Sequence, residues 1–566
     1  MYAKATGAAF SGLNGVRITV EVDLAPGLPS FEIVGLADMA VKEARERVRT
    51  ALRNSGYRFP RNRITVNLAP ANLRKDGSGL DLPIAIGILV ASGYLPQGKV
   101  DGKLFIGELS LEGGIRGVSG VLPMVLEARR CGVEELYLPP QNAAEGALVE
   151  GLRIYAPATL GELTAHLLHK GRPLRPLAVT PSDSGGDDVP GPDFADVRGQ
   201  DLAKRGLEIA AAGGHNILLT GVPGSGKTML AQRLPSILPP MTRDEALEVT
   251  KIYSIAGLLR EGTACLRRTR PFRSPHHTVT VRTLIGGGAI PVPGEVTLSH
   301  NGVLFLDELP EFSCAALEVL RQPLEDRHVR LSRLRASVDF PASFLLVCAQ
   351  NPCPCGYLGD PERACTCKPA EIDRYRRKLS GPLLDRIDMQ IYVGRVAYGD
   401  IKGVTNEESS AVIRKRVCAA RSRQQDRFKG TGTRCNAEMN HRQVARWCRL
   451  ERDGDALLHH AYDMLGLSAR SYDRILKVAR TIADLEGSEL FEVSLAELTP
   501  TKPTDEATDT TVGTAGTSIA GMLCEGRFAL YLAGEPYKSR MPPALFANCM
   551  REGYTYAHRC YSRREG

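Results

Sequence analysis

Eight consecutive residues, Gly221, Val222, Pro223, Gly224, Ser225, Gly226, Lys227 and Thr228, have the side chains and spacing needed to hold a triphosphate. The three glycines let a tight loop turn its backbone N–H groups inward onto phosphate oxygens at a helix N-terminus. Lys227 supplies a point charge for the β- and γ-phosphates, and the Thr228 hydroxyl is a ligand for Mg²⁺. The apolar run His215–Thr220 predicts the strand that must lead into such a loop. A second element, Gly302–Glu308, reads as a buried strand over Val303–Leu306 that ends in two acids. Asp307 there can hold Mg²⁺ through water, and Glu308 can polarise an attacking water. Together the two elements predict a nucleoside triphosphatase whose cofactors are ATP and Mg²⁺.

Around these residues, 566 positions suggest two to four domains, ample for large cores. Hydrophobic content of 43% and charged content of 24% are ordinary for a globular chain. The net charge of +8 is compatible with a nucleic-acid partner without requiring one. The start, MYAKATGAAFSG, lacks a signal-peptide core, and no run approaches the roughly 20 apolar residues of a membrane span. The fourteen cysteines are scattered apart from one cluster, so a reducing cytoplasm and no membrane partner are expected.

Residues 1–170 alternate strand-like runs (Val16–Val22, Arg63–Asn67, Lys103–Ile106, Glu135–Leu138) with helical ones (Val41–Asn54, Pro83–Ala91, Pro123–Arg130). Residues 171–192 are Pro-rich and include SDSGGDD, an exposed linker. The triphosphatase block spans 193–395, and helix-rich sequence runs over 396–490. The tail, 491–566, begins Thr-rich and is expected to be partly disordered.

Between the two nucleotide elements lie RPFRSPHHT (Arg270–Thr278) and IGGGAIPVPGEVTLSHNG (Ile285–Gly302); after them come FLLVCAQNPCPCG (Phe344–Gly356) and KLSGPLLDRIDM (Lys378–Met389). In this order the motifs resemble the AAA+ proteins of the magnesium-chelatase-like group, and specifically the ComM/YifB family. The resemblance implies an α/β architecture: a parallel-sheet AAA+ core under an α-helical lid. It further implies that Asn351 is the sensor that orients the attacking water. Arg386 resembles the arginine finger that reaches a neighbouring subunit's γ-phosphate. Arg470 resembles the lid's second sensor, with Arg474, one helical turn later, as the alternative. Asp193–Gln200 occupies the place where the family contacts adenine. A finger acting across subunits makes catalysis depend on assembly, and the implied particle is a homo-hexameric ring.

Cys353, Cys355, Cys365 and Cys367 form C-x-C-x₉-C-x-C. Four thiolates on two short turns could close a tetrahedral, structural Zn²⁺ site, although the spacing is tighter than the usual C-x₂₋₄-C; reduced thiols are the alternative.

KDGSGLDLPIAIG (Lys75–Gly87) and Ile115–Asn142 resemble the proteolytic domain of Lon, which implies an α+β N-terminal domain. Ser78 lies about one residue from the nucleophile's place, and Met124 stands where the catalytic lysine belongs. A methionine accepts no proton, so the Ser–Lys dyad is incomplete and the domain is expected to be proteolytically inactive.

For nucleic acid, Arg330, Arg333 and Arg335 lie in a stretch of hairpin character, which related AAA+ motors point into the ring pore. Arginines there would follow phosphates with little sequence preference. A second basic run, Arg414–Gly430, is either a DNA face or a solvated helix. His276 and His277 suit a structural or interface role better than metal binding. The family resemblance implies a branch-migration motor on single-stranded or branched DNA in natural transformation, with an unidentified loading partner. The alternative is a chelatase-type ATPase that remodels a protein, and an ATP-dependent protease ranks last.

Overall fold

The computed structural model describes residues 1–35, 39–71, 78–177, 191–259, 266–288, 291–333, 336–360, 362–396, 407–450, 454–455, 458–459, 462–463, 468–488, 518–524 and 527–533. The linker expected over 171–192 lies largely outside them, as does most of the tail. Among the described residues, no helix is long and apolar enough to cross a membrane.

The N-terminal block is built on a seven-stranded mixed sheet. Its strands run, side by side, Ser30–Val34, Arg63–Ala69, Asn14–Ala25, Tyr2–Ser11, Lys103–Phe105, Glu135–Tyr137 and Arg153–Tyr155. The two longest form a hairpin in register from Tyr2↔Asp23 to Ser11↔Asn14. Alternation sends Ala3 and Ala5, with Ile18, Val20 and Val22, into the core. Helices Met39–Asn54 and Asp81–Ala91 cover one side of this sheet's core, and Val121–Arg130 joins a second cluster. Asp81–Ala91 is buried almost all round, and it lies so close to the sheet that a Cβ on Gly87 would come within 2.7 Å of Val22.

The second sheet carries the expected parallel core. Its first five strands lie in the order Phe272–Arg273, Val303–Leu306, Leu345–Gln350, Ile217–Gly221 and Met389–Val393. All pairs among these five are parallel. Val303–Leu306 is buried at every position, as strands covered on both faces must be. The described tail residues form a hairpin, Ser518–Cys524 with Arg527–Ala533, beside Met389–Val393.

Helices Ser410–Arg427 and Ala469–Glu486 pack on Asp201–Gly213 and share one apolar core with the sheet, through Leu207, Ile217, Ile413, Val417 and Ile482. Within that core Asp484 is fully buried. Arg427 and Arg480 pair with it, and Asn436 donates to it at 2.8 Å, so the charge is compensated.

The N-terminal block is docked on the second sheet's domain. The Ser254 carbonyl accepts the Gly120 N–H at 3.0 Å, and the Ser254 hydroxyl donates to Glu145. The turn between the first two strands reaches further. Leu13 packs into the apolar cluster under an antiparallel hairpin, His328–Arg333 with Ala336–Pro341. A Cβ on Gly12 would come within 2.9 Å of Val338 in that hairpin.

Candidate functional site

Parallel register brings three strand ends to one edge. Thr220 pairs with Gln350, and Leu306 pairs with Cys348. Gly221, Asp307 and Asn351 therefore emerge side by side, where open parallel sheets bind ligands. The loop after Gly221 turns through Gly224 (φ 77°) and Gly226 (φ 87°) into helix Lys227–Ile237. A Cβ on either glycine would project into open space, so the mouth of the loop is clear. A Cβ on Gly221 would lie 2.2 Å from the Val393 carbonyl, which explains the first glycine by packing. Val222 and Ser225 are buried beneath the loop.

The Lys227 ammonium donates to the carbonyls of Gly221 (2.8 Å) and Val222 (2.9 Å) and to Asn351 Oδ1 (3.3 Å). Burial lowers its pKa, and the Asp307 charge opposes that shift. The Thr228 hydroxyl donates to Asp307 Oδ2 at 2.7 Å. These two oxygens, one hydroxyl and one carboxylate, suit a hard cation such as Mg²⁺. Glu308 projects its exposed carboxylate from a left-handed backbone, φ 52°. His277 Nδ1 stands 3.5 Å from that carboxylate. The His276–His277 pair reads as structural in the sequence; only the fold brings His277 to Glu308.

Asp193–Gln200 stitches the loop to the helical region. The Asp193 carboxylate accepts the Ser410 N–H at 2.9 Å, and Gln200 donates to the Gly394 carbonyl at 2.6 Å.

Arg386 and Arg470 meet elsewhere, on Glu325. Arg386 forms an ion pair with it, and Arg470 lies 3.5 Å away. All three line a cleft of about 180 Å³. Arg474 is buried and donates to the Ile387 carbonyl at 3.0 Å, which makes it part of the packing. Glu325 carries no motif, and only the folded chain reveals it.

Arg330 is exposed on the hairpin, directly across from Asp339. Arg333 ends the first hairpin strand, while Arg335 lies outside the described residues. The basic run Arg414–Gly430 is divided: Arg414, Lys415 and Lys429 are exposed, while four of its arginines have partners within the fold. Arg416 pairs with Glu208 and Glu408, Arg421 donates to Ala211, and Arg423 and Arg427 bond Asp484.

The four cluster cysteines converge, their sulfurs all within 4.8 Å of one another. In the N-terminal block, the Ser78 hydroxyl donates to Glu108, and Met124 is buried in the core.

Three family descriptions match the chain in succession: subunit ChlI of Mg-chelatase over residues 20–142, magnesium chelatase subunit ChlI over 193–401, and its C-terminal part over 407–497. The chain is 45% identical over 481 residues to the uncharacterised protein YifB of Salmonella typhimurium, covering 84% of this chain and 92% of that protein. It is 44% identical over 495 residues to competence protein ComM of Haemophilus influenzae, covering 86% and 95%. A Lon protease of Bacillus thuringiensis is similar at 24% identity over 176 residues, 29% of this chain and 22% of the protease.

Proposed function

The chain belongs to the ComM/YifB family of magnesium-chelatase-like AAA+ proteins, and from that premise we propose that it is an ATP-driven motor acting on single-stranded or branched DNA. The observation that carries the ATPase reading is the convergence of Lys227, Thr228, Asp307 and Asn351 at one sheet edge. Lys227 would exchange its loop carbonyls for phosphate oxygens. Thr228 and Asp307 would hold Mg²⁺, which offsets phosphate charge. Glu308 takes the proton from the attacking water, Asn351 orients that water, and the loop N–H groups hold the phosphates.

Arg386 and Arg470 pair with Glu325 and not with the phosphate loop of their own chain. That supports both acting on a neighbour's nucleotide, within a homo-hexameric ring. The DNA reading draws on the relative named a competence protein and on Arg330, exposed on the hairpin. Branch migration during natural transformation is the form of it we favour. The four clustered thiols support a structural Zn²⁺ and a cytoplasmic location.

The test is ATP hydrolysis by the wild type and Lys227→Ala, with and without single-stranded and four-way-junction DNA. Strong stimulation by DNA, lost in the variant, is expected. Hydrolysis indifferent to DNA would overturn the DNA reading in favour of an ATPase that remodels a protein.

A further inference from the structure

The cysteine cluster is built against the phosphate loop. Cys353, two residues beyond Asn351, is fully buried. Its sulfur lies 3.4 Å from that of Cys355 and 3.6 Å from that of Cys365, and Cys355 and Cys365 are 3.6 Å apart. A disulfide needs about 2.05 Å. Zinc–sulfur bonds of about 2.3 Å in a tetrahedron set sulfurs about 3.8 Å apart, close to the spacing seen.

A backbone donor is aimed at one of these sulfurs: the Cys355 N–H points to Cys367 Sγ at 3.3 Å. Such a donor suits sulfur that carries negative charge.

Between the two cysteine pairs the chain turns at Gly356, φ 86°. A Cβ there would lie 2.5 Å from Cγ and 2.6 Å from Cδ of Pro223, and 3.9 Å from Asn351 Cγ. The cysteine loop therefore rests directly on the phosphate loop and beside the residue that bonds Lys227.

We propose that Cys353, Cys355, Cys365 and Cys367 bind one structural Zn²⁺, and that the metal-folded turn braces the phosphate loop through the Gly356–Pro223 contact. The proposal rests on reading Gly221–Thr228 as the nucleotide site. Binding replaces four S–H bonds with four S–Zn bonds and releases the protons to solvent, with no change of oxidation state. Protein sulfur fills all four positions, so the metal supports the site and meets no substrate. With the metal removed, the turn keeps the Gly356 N–H bond to the Cys353 carbonyl but loses the link between its two cysteine pairs, and the loop spends less time in its binding geometry.

The experiment uses the full chain, purified without added metal. Elemental analysis should find one zinc per chain, and exchange for Co²⁺ should give thiolate charge-transfer absorption. Affinity for a fluorescent ATP analogue is then measured as purified, after zinc is stripped by chelator under reducing conditions, and after zinc is returned. Stripping should weaken binding by about tenfold or more, as expected when only a tenth of loops stay competent, and zinc should restore it. Circular dichroism before and after stripping shows that the rest of the chain stays folded. Gly356→Ala should weaken nucleotide binding with zinc retained, separating the brace from the metal. Cys131→Ser, at an exposed cysteine outside the cluster, should change neither readout. Absence of zinc overturns the proposal outright. Zinc without any effect of stripping on nucleotide affinity overturns the brace and leaves the metal site. If no form binds nucleotide, the reading of the phosphate loop falls, and the brace with it.

Discussion

His277 Nδ1 stands 3.5 Å from the carboxylate of Glu308, the residue proposed above to activate water. The Glu308 backbone is left-handed, a conformation that non-glycine residues keep only when their surroundings impose it. If Glu308 is the general base proposed above, His277 is the neighbour placed to aim it. His277→Ala should lower kcat on the order of tenfold, less than the roughly 10²–10⁴-fold a general base contributes, since the base remains and only its aim is lost. Nucleotide affinity should not change. An unaltered kcat would reduce the pair to a passive contact.

If Arg386 serves a neighbouring subunit, defects in different chains should complement. Arg386→Ala and Lys227→Ala should each be inactive alone, and mixing them should recover part of the turnover. The mixed ring contains interfaces with both groups intact. No recovery on mixing would place both groups in one chain's own site.

In the proposed DNA complex, Arg330 would make one phosphate contact. Arg330→Ala should weaken DNA binding about equally for all sequences and reduce the slope of log affinity against log salt by about 1. A sequence-dependent loss would point to base contact instead.

Glu145, which joins the N-terminal block to Ser254, has its pKa raised above 4.5 by burial, against the pull of hydrogen bonds from Ser254, Leu122 and Asn142. The folded chain thus binds this proton more tightly than the unfolded chain does. Its contribution is fully present below pH 4.5 and is lost as pH rises through the raised folded value. Glu145→Gln should remove that part of the pH dependence in denaturant unfolding. The same slope in both proteins would show that the proton belongs to another group.

Arg427→Met would leave the buried Asp484 carboxylate with Arg480 and Asn436. Breaking such a pair should destabilise the helical region by about 3 kcal/mol, read from thermal or urea unfolding. A loss below about 1 kcal/mol, the scale of a surface pair, would mean that water reaches Asp484.

The phosphate loop and the Asp307–Glu308 strand were legible because their chemistry is local: a few adjacent residues supply loop, charge and metal ligand. The hairpin at His328–Pro341 was legible for the same reason, in its alternation. The strand Tyr2–Ser11 was not, because its small residues, Ala3 and Ala5, show little propensity until Asn14–Ala25 pairs with them. His277 and Glu325 were hidden because each acquires its role from a residue far along the chain. The basic run Arg414–Gly430 was legible only in part: Arg414, Lys415 and Lys429 are exposed, but Arg416 and Arg427 acquire partners only when Glu208, Glu408 and Asp484 are brought to them.

The seat of Leu13 and Gly12 against the arginine hairpin turns that hairpin from a free finger into the end of a strut. Load on the hairpin would pass through Val338 into the turn, and from there along the two longest strands of the N-terminal sheet. In the proposed motor, recoil from each stroke would therefore be borne by the N-terminal sheet.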